Sequence, residues 1–274
     1  MLDQTVSKPV LCHPRLRALG RGLRLPAVLL TLCALSPYAD LPSVQNASAD
    51  SMPKPVQAVP AITGPAMPLL AQGADGLSPR VLSMALDAAA CARARGVSGR
   101  DDVMTVIDYS LPSTQPRLWV LDLKKGKVLY HELVAHGSGS GDNYATRFSN
   151  VNDSKQTSLG LFLTAGTYEG GNGYSLQLKG LDQGVNDKAE ARHIVMHGAW
   201  YVSPEHARAQ GRLGRSWGCP ALSEKVAKPV IDTIKGGSFV FSYAGEKTWL
   251  QTVSSSLHGP TCPAPAGSLA KTAA

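Results

Sequence analysis

Arg215-Ser216-Trp217-Gly218-Cys219-Pro220 is the stretch around which the rest of the chain can be read, together with Ile194-Val195-Met196-His197-Gly198 upstream of it. A thiolate, not a thiol, is the attacking species, and a free cysteine is mostly protonated at neutral pH. A nearby imidazole such as His197 can take that proton, and a turn rich in backbone N–H groups can hold the oxyanion that follows. Gly218 lets backbone approach a substrate carbonyl, and Pro220 stiffens the turn after the sulfur. Ser216 is placed to cap the turn or to bind substrate. The string by itself also fits a buried structural cysteine beside an unrelated core histidine.

The surroundings add weight. His197-Gly198, then Ser216-Trp217-Gly218-Cys219, resembles the L,D-transpeptidase (YkuD-like) catalytic family of cell-wall enzymes, and more narrowly its Gram-negative murein branch. The resemblance runs through Ile107-Asp108-Tyr109-Ser110-Leu111-Pro112, Arg117 to Leu123 and Thr157 to Phe162, covering roughly residues 80 to 244. The common family pattern has a second histidine where Trp217 stands, and an arginine shortly after the cysteine where Pro220 and Ala221 follow here. Arg215 or Arg212 is the expected substitute for that charge.

The resemblance implies a mainly β domain, a β-sandwich of the L,D-transpeptidase catalytic type with a few short helices. It implies that Cys219 attacks the carbonyl between the third residue and D-alanine of a peptidoglycan stem, with His197 as base and the Gly198 carbonyl orienting the ring. Backbone N–H groups of Trp217, Gly218 and Cys219 would form the oxyanion hole. Tyr109, His136, Tyr174, Arg212 and Arg215 are the expected substrate contacts. Amine as acceptor gives a cross-link, and water gives an L,D-carboxypeptidase. A wall-binding protein without turnover is the rival from another class. No metal or organic cofactor is called for. A zinc site from His193, His197, Cys219 and His206 is disfavoured, because His193 and His197 on an extended strand would stand about 13 Å apart.

The chain has 274 residues, 27 Lys and Arg against 20 Asp and Glu, and 27 Gly and 19 Pro. Arg15, Arg17, Arg21 and Arg24 precede an apolar run from Leu25 to Leu35, with small residues after it. That layout predicts a signal peptide over 1–39 and export to the periplasm, with a membrane tether only if the segment stays uncleaved. Five of the basic and one of the acidic residues lie there, leaving a net of +3 beyond it, so the charge makes no case for nucleic acid. Residues 40–77, rich in Pro, Ala and Ser, read as a linker. A catalytic domain is expected over 78–244 and a tail over 245–274. Of the three cysteines beyond the signal, Cys91 and Cys262 are expected to pair in an oxidising compartment and Cys219 to stay free.

Within the domain, Ser78-Pro79 opens a helix ended by Gly96. Strands are expected over Val103–Tyr109, Arg117–Leu123 and Val128–His136, then Thr157–Thr164, Ser175–Lys179, Ala191–Met196 and Ser238–Tyr243. The 137–143 glycine stretch reads as a mobile rim loop and 166–175 as a hairpin with a glycine tip. Short helices are expected over Glu205–Gln210 and Lys225–Lys235.

Overall fold

A computed structural model describes residues 74–246, 249–250 and 262. The expected signal peptide, most of the linker and most of the tail lie outside the described residues.

Helix α1 (Pro79–Ala94) begins where Ser78-Pro79 places it. The Ser78 side chain makes no capping bond; its carbonyl accepts from Leu82 N–H at 3.0 Å. The compact region starts ahead of residue 78: Ala74 and Leu77 are buried, and Trp119 Nε1 donates to the Asp75 carbonyl at 3.1 Å. At the other end Trp249 is buried against Phe241 and Tyr243. Cys91 on α1 is disulfide-bonded to Cys262, as the cysteine count suggested, and Cys219 is a free thiol.

The strands are β1 (Val103–Asp108), β2 (Leu118–Asp122), β3 (Lys127–Glu132), β4 (Val134–Ala135), β5 (Gly160–Gly170), β6 (Gly173–Gly180), β7 (Val195–Ala199), β8 (Ala221–Ser223) and β9 (Phe239–Tyr243). They form a nine-stranded sheet in the order β3-β2-β1-β9-β5-β6-β7-β8-β4. β1 pairs with β9 and β7 with β8 in parallel; the other pairs are antiparallel. Strands β3 and β4 stand at opposite ends of this order, yet only Leu133 separates them in sequence. The chain cannot cross an open sheet in one residue, since a strand advances only about 3.3 Å per residue. The sheet therefore curls until its edges meet, which produces the expected two-layered, mainly β architecture.

Two further helices are α2 (Pro204–Gln210) and α3 (Glu224–Ile234). Helix α3 buries Ala227, Val230, Ile231 and Ile234, an i, i+3, i+4, i+7 stripe. It packs on β6, β7 and β8 and also on β1, while α1 lies against β1, β5 and β9. Covered on both faces, β1 is buried at every position and shows no polar alternation. β3, at an edge, alternates exposed and half-buried residues.

Gly160 marks a close approach: its φ is 98°, and a Cβ there would stand 2.3 Å from Asp182 Oδ2. That carboxylate accepts from Leu161 N–H at 2.7 Å, so the glycine admits the acid that anchors the start of β5.

Candidate active site

His197 sits in the middle of β7, whose neighbour β8 starts two residues after Cys219. The parallel register pairs His197 with Ala221, which sets the motif turn beside the histidine. The turn closes on itself. Ser216 Oγ donates to the Cys219 carbonyl at 2.6 Å and accepts from Gly218 N–H at 3.1 Å. Ser216 N–H donates to the His136 carbonyl at 3.0 Å, and Ser138 N–H to the Ser216 carbonyl at 2.8 Å. Ser216 is thus the turn's internal brace. The 137–141 loop is packed in rather than mobile: Ser140 is fully buried, and a Cβ on Gly137 would stand 2.3 Å from the Lys155 carbonyl.

Cys219 and His197 line one open cleft of about 810 Å³. His193, Arg192, Tyr201, Lys155, Asn152, Asp153, Asn172, Arg215 and Trp217 share its walls with them. Nδ1 of His197 lies 2.8 Å from the Gly198 carbonyl. A carbonyl only accepts, so Nδ1 carries the hydrogen and Nε2 of the neutral ring is left with a lone pair. Val195 N–H donates to the Cys219 sulfur at 3.4 Å, and the thiol donates to the His193 carbonyl at 3.7 Å. Burial pushes the Cys219 thiol up, against the Val195 N–H and the Arg192 charge. Burial pushes the His197 ring down, against its bond to Gly198. Both shifts favour a neutral thiol–imidazole pair at rest.

The oxyanion-hole expectation needs one correction. Gly218 N–H is taken by Ser216 Oγ, so among the described residues the uncommitted donors of the turn are Trp217 N–H and Cys219 N–H. Gly218 itself has φ 125°, and a Cβ there would meet the Gln156 carbonyl at 2.9 Å. Its glycine identity is a backbone requirement. The Trp217 ring is 77% exposed with Lys155 Nζ 5.1 Å from its centroid, so it walls the cleft rather than stacking on the imidazole.

Four of the five expected substrate contacts are elsewhere. Tyr109 is fully buried in the core. His136 is 1% exposed: Arg117 Nη2 donates to its Nδ1 at 2.8 Å, and its Nε2 faces the Gly141 carbonyl at 3.4 Å. Tyr174 donates to Asp232 at 2.8 Å and is half-buried on the α3 side. Arg212 does not line the cleft and bonds the Leu213 carbonyl. Arg215 does line it, but its guanidinium is 2.8 Å from Asp142. These expected contacts were carried over from the family resemblance, which does not fix where each side chain lies once the sheet curls.

The site residues that sequence reasoning missed are Arg192, Tyr201, Lys155, Asn152, Asp153 and Asn172. Tyr201 and Arg192 lie four and five positions from His197, a proximity that was legible; burial and the neighbouring Cys219 push the Tyr201 hydroxyl up to about 12. The others sit on loops brought in by tertiary contacts. The expected 191–196 strand is also shorter, beginning at Val195. His193 precedes it in a turn with φ 54°, so the extended-strand distance used against zinc does not apply. Among the described residues no group of three His, Cys, Asp or Glu side chains could hold a metal ion.

His136 has a measurable consequence. Burial first, then the Arg117 charge, pull its pKa down to about 4. Between its ordinary value near 6.5 and about 4 the unfolded chain binds a proton that the folded protein refuses. Stability therefore falls as pH falls through that window, by about 2 kcal/mol between pH 7 and pH 5. Burial raises Asp108 and Asp182, which act in the opposite direction. Urea unfolding at the two pH values, compared between wild type and His136→Gln, isolates the histidine; the variant is expected to lose most of this slope.

A mainly β domain with a thiol and an imidazole on one open cleft is the arrangement of an L,D-transpeptidase catalytic domain, and residues 73–243 match the model of that family. The match covers more than half the chain, which belongs to the L,D-transpeptidase catalytic domain family. No curated protein matches the chain. Among solved structures, an L,D-transpeptidase from Mycobacterium smegmatis is 16% identical over 52% of this chain and 59% of that one, with a TM-score of 0.33. An L,D-transpeptidase from Mycobacterium tuberculosis H37Rv is 16% identical over 52% and 57%, with a TM-score of 0.31. The helical cell shape determining protein Pgp2 from Campylobacter jejuni is 17% identical over 62% and 58%, with a TM-score of 0.35. The chain thus spans less than two thirds of the length of each.

Proposed function

We propose that this chain is an exported peptidoglycan L,D-transpeptidase whose nucleophile is Cys219. The observation that carries the reading is the shared cleft: the sulfur and the imidazole line it together, and the ring is held with its Nε2 lone pair uncommitted. Nε2 of His197 takes the thiol proton while sulfur bonds to the carbonyl carbon joining the third stem residue to D-alanine. The displaced electron pair rests on the carbonyl oxygen, facing Trp217 N–H and Cys219 N–H. Loss of one such donor typically costs about 3 kcal/mol of barrier. Collapse expels D-alanine, whose amine takes the proton from His197, and leaves a thioester on Cys219. An amine from a neighbouring stem then attacks, gives its proton to His197 and releases the thiolate. Lys155 and Arg192 on the cleft walls suit the carboxylates of a stem peptide.

Digestion of purified peptidoglycan with residues 74–274, followed by mass analysis, tests the reading. New L,D cross-links with free D-alanine support it. Shortened stems without cross-links assign the carboxypeptidase reaction instead, and unchanged muropeptides favour the wall-binding alternative. His197→Ala is expected to lower kcat by about a hundredfold or more, the range of a lost general base. Its pH–rate profile should lose the limb that reports the imidazole; an unchanged profile would remove His197 from the base role.

A further inference from the structure

The arginine that the family pattern places after the cysteine has no counterpart at Pro220 or Ala221, and neither expected substitute has charge to spare. Arg215 Nη1 is 2.8 Å from Asp142 and also donates to the Gly141 carbonyl at 3.0 Å. Arg212 is 3.9 Å from the same carboxylate and lies off the cleft.

Arg192 differs on each count. It lines the cleft, and its Nη2 stands 3.4 Å from the point a Cβ on Gly218 would occupy, beside the motif turn. Its terminal nitrogens make four bonds, all to one loop. Nη1 donates to the Ser149 carbonyl at 2.6 Å and to Ser158 Oγ at 2.5 Å; Nη2 donates to Ser154 Oγ at 3.2 Å and to the Gln156 carbonyl at 2.7 Å. All four acceptors are neutral, and among the described residues no carboxylate lies within 4.0 Å of the guanidinium. The half-buried fork is therefore fixed in place with its charge uncompensated, on the wall that Cys219 shares.

We infer that Arg192 is the positioning residue that supplies the missing positive charge, stabilising the Cys219 thiolate while pinning the 149–158 loop as a wall of the cleft. The inference rests on Cys219 being the nucleophile. An anion in a cleft gains most from a cation that is already ordered and unpaired, because no competing ion pair must first be broken. Burial raises the thiol and the Arg192 charge opposes that rise.

The test is the pH dependence of Cys219 alkylation by iodoacetamide, followed by mass on the intact protein, in wild type, Arg192→Lys, Arg192→Gln and Ser154→Asp. Gln removes charge and fork; Lys keeps the charge and loses the fork. Asp at 154 keeps an acceptor for Nη2 and neutralises the charge. An opposite charge within about 4–6 Å shifts a titrating group by about one pK unit or more. Alkylation at pH 7 is therefore expected to slow about tenfold in Gln and in Ser154→Asp and to stay within about threefold of wild type in Lys. Thermal melting should fall in Lys and Gln but not in Ser154→Asp. Equal slowing in Lys and Gln with none in Ser154→Asp would reduce Arg192 to a structural pin and overturn the electrostatic role, as would no slowing in any variant. If neither Arg192 variant folds, Ser154→Asp alone decides between the two. A wild-type thiol that never alkylates would instead sink the nucleophile assignment, and so the proposed function.

Discussion

Cys219→Ala is expected to release no detectable D-alanine from tetrapeptide stems, a drop of at least about a thousandfold, while melting within a few degrees of wild type. Activity has no second route, because the described residues offer no other free thiol on the cleft. The fold should survive for reasons of size and bonding. The sulfur occupies a small volume at the cleft edge, and its two contacts are a long bond from Val195 N–H and a weak one to the His193 carbonyl. Removing a weak bond of this kind costs about 1 kcal/mol. The backbone bonds of the turn, from Ser216 Oγ to the Cys219 carbonyl and from Gly218 N–H to Ser216, do not involve the side chain. Turnover measured by released D-alanine, alongside a thermal melt of the same sample, checks both halves. Residual release above that level would show that the sulfur is not the nucleophile, whatever the melt reports.

The motif was legible because the chemistry is local. Ser216 to Pro220 forms one turn, and its bracing bonds span three residues. The helices were legible too, through apolar spacing and through signals such as Ser203 Oγ accepting from His206 N–H at the start of α2 and Gly211 at φ 69° after its end. The sheet order was not. It depends on β9 inserting between β1 and β5, pairings that span 135 residues on one side and about 80 on the other and that no local pattern announces. For the same reason Tyr109 and His136, which follow β1 and β4, were expected to contact substrate. Both instead face an interior that exists only after the sheet has curled. Arg192 was overlooked because nothing in Ala191-Arg192-His193 shows that four acceptors from residues 149–158 will converge on it.

Arg117→Ala is expected to destabilise the domain by about 3–5 kcal/mol, the cost of breaking a buried charged network from one side. Arg117 is 0% exposed, and burial pulls its pKa down to about 10. Its guanidinium donates twice to the Val134 carbonyl, at 3.1 and 2.9 Å, once to the Leu111 carbonyl at 2.7 Å and once to His136 Nδ1 at 2.8 Å. Val134 begins β4, the strand that carries the chain across the seam where the curled sheet closes. Truncation leaves these acceptors buried without a donor, at about 1–3 kcal/mol each before relaxation or water entry. The effect should reach the site as well. The His136 carbonyl receives Ser216 N–H, so a loosened His136 releases one support of the motif turn. Urea unfolding measures the first effect, and the alkylation rate of Cys219 well below the melting point measures the second. Arg117→Lys, which keeps a buried cation but cannot bond Leu111, Val134 and His136 together in one plane, is expected to recover less than half of the lost stability. Full recovery by lysine would mean that charge alone, not the planar fork, holds the seam closed.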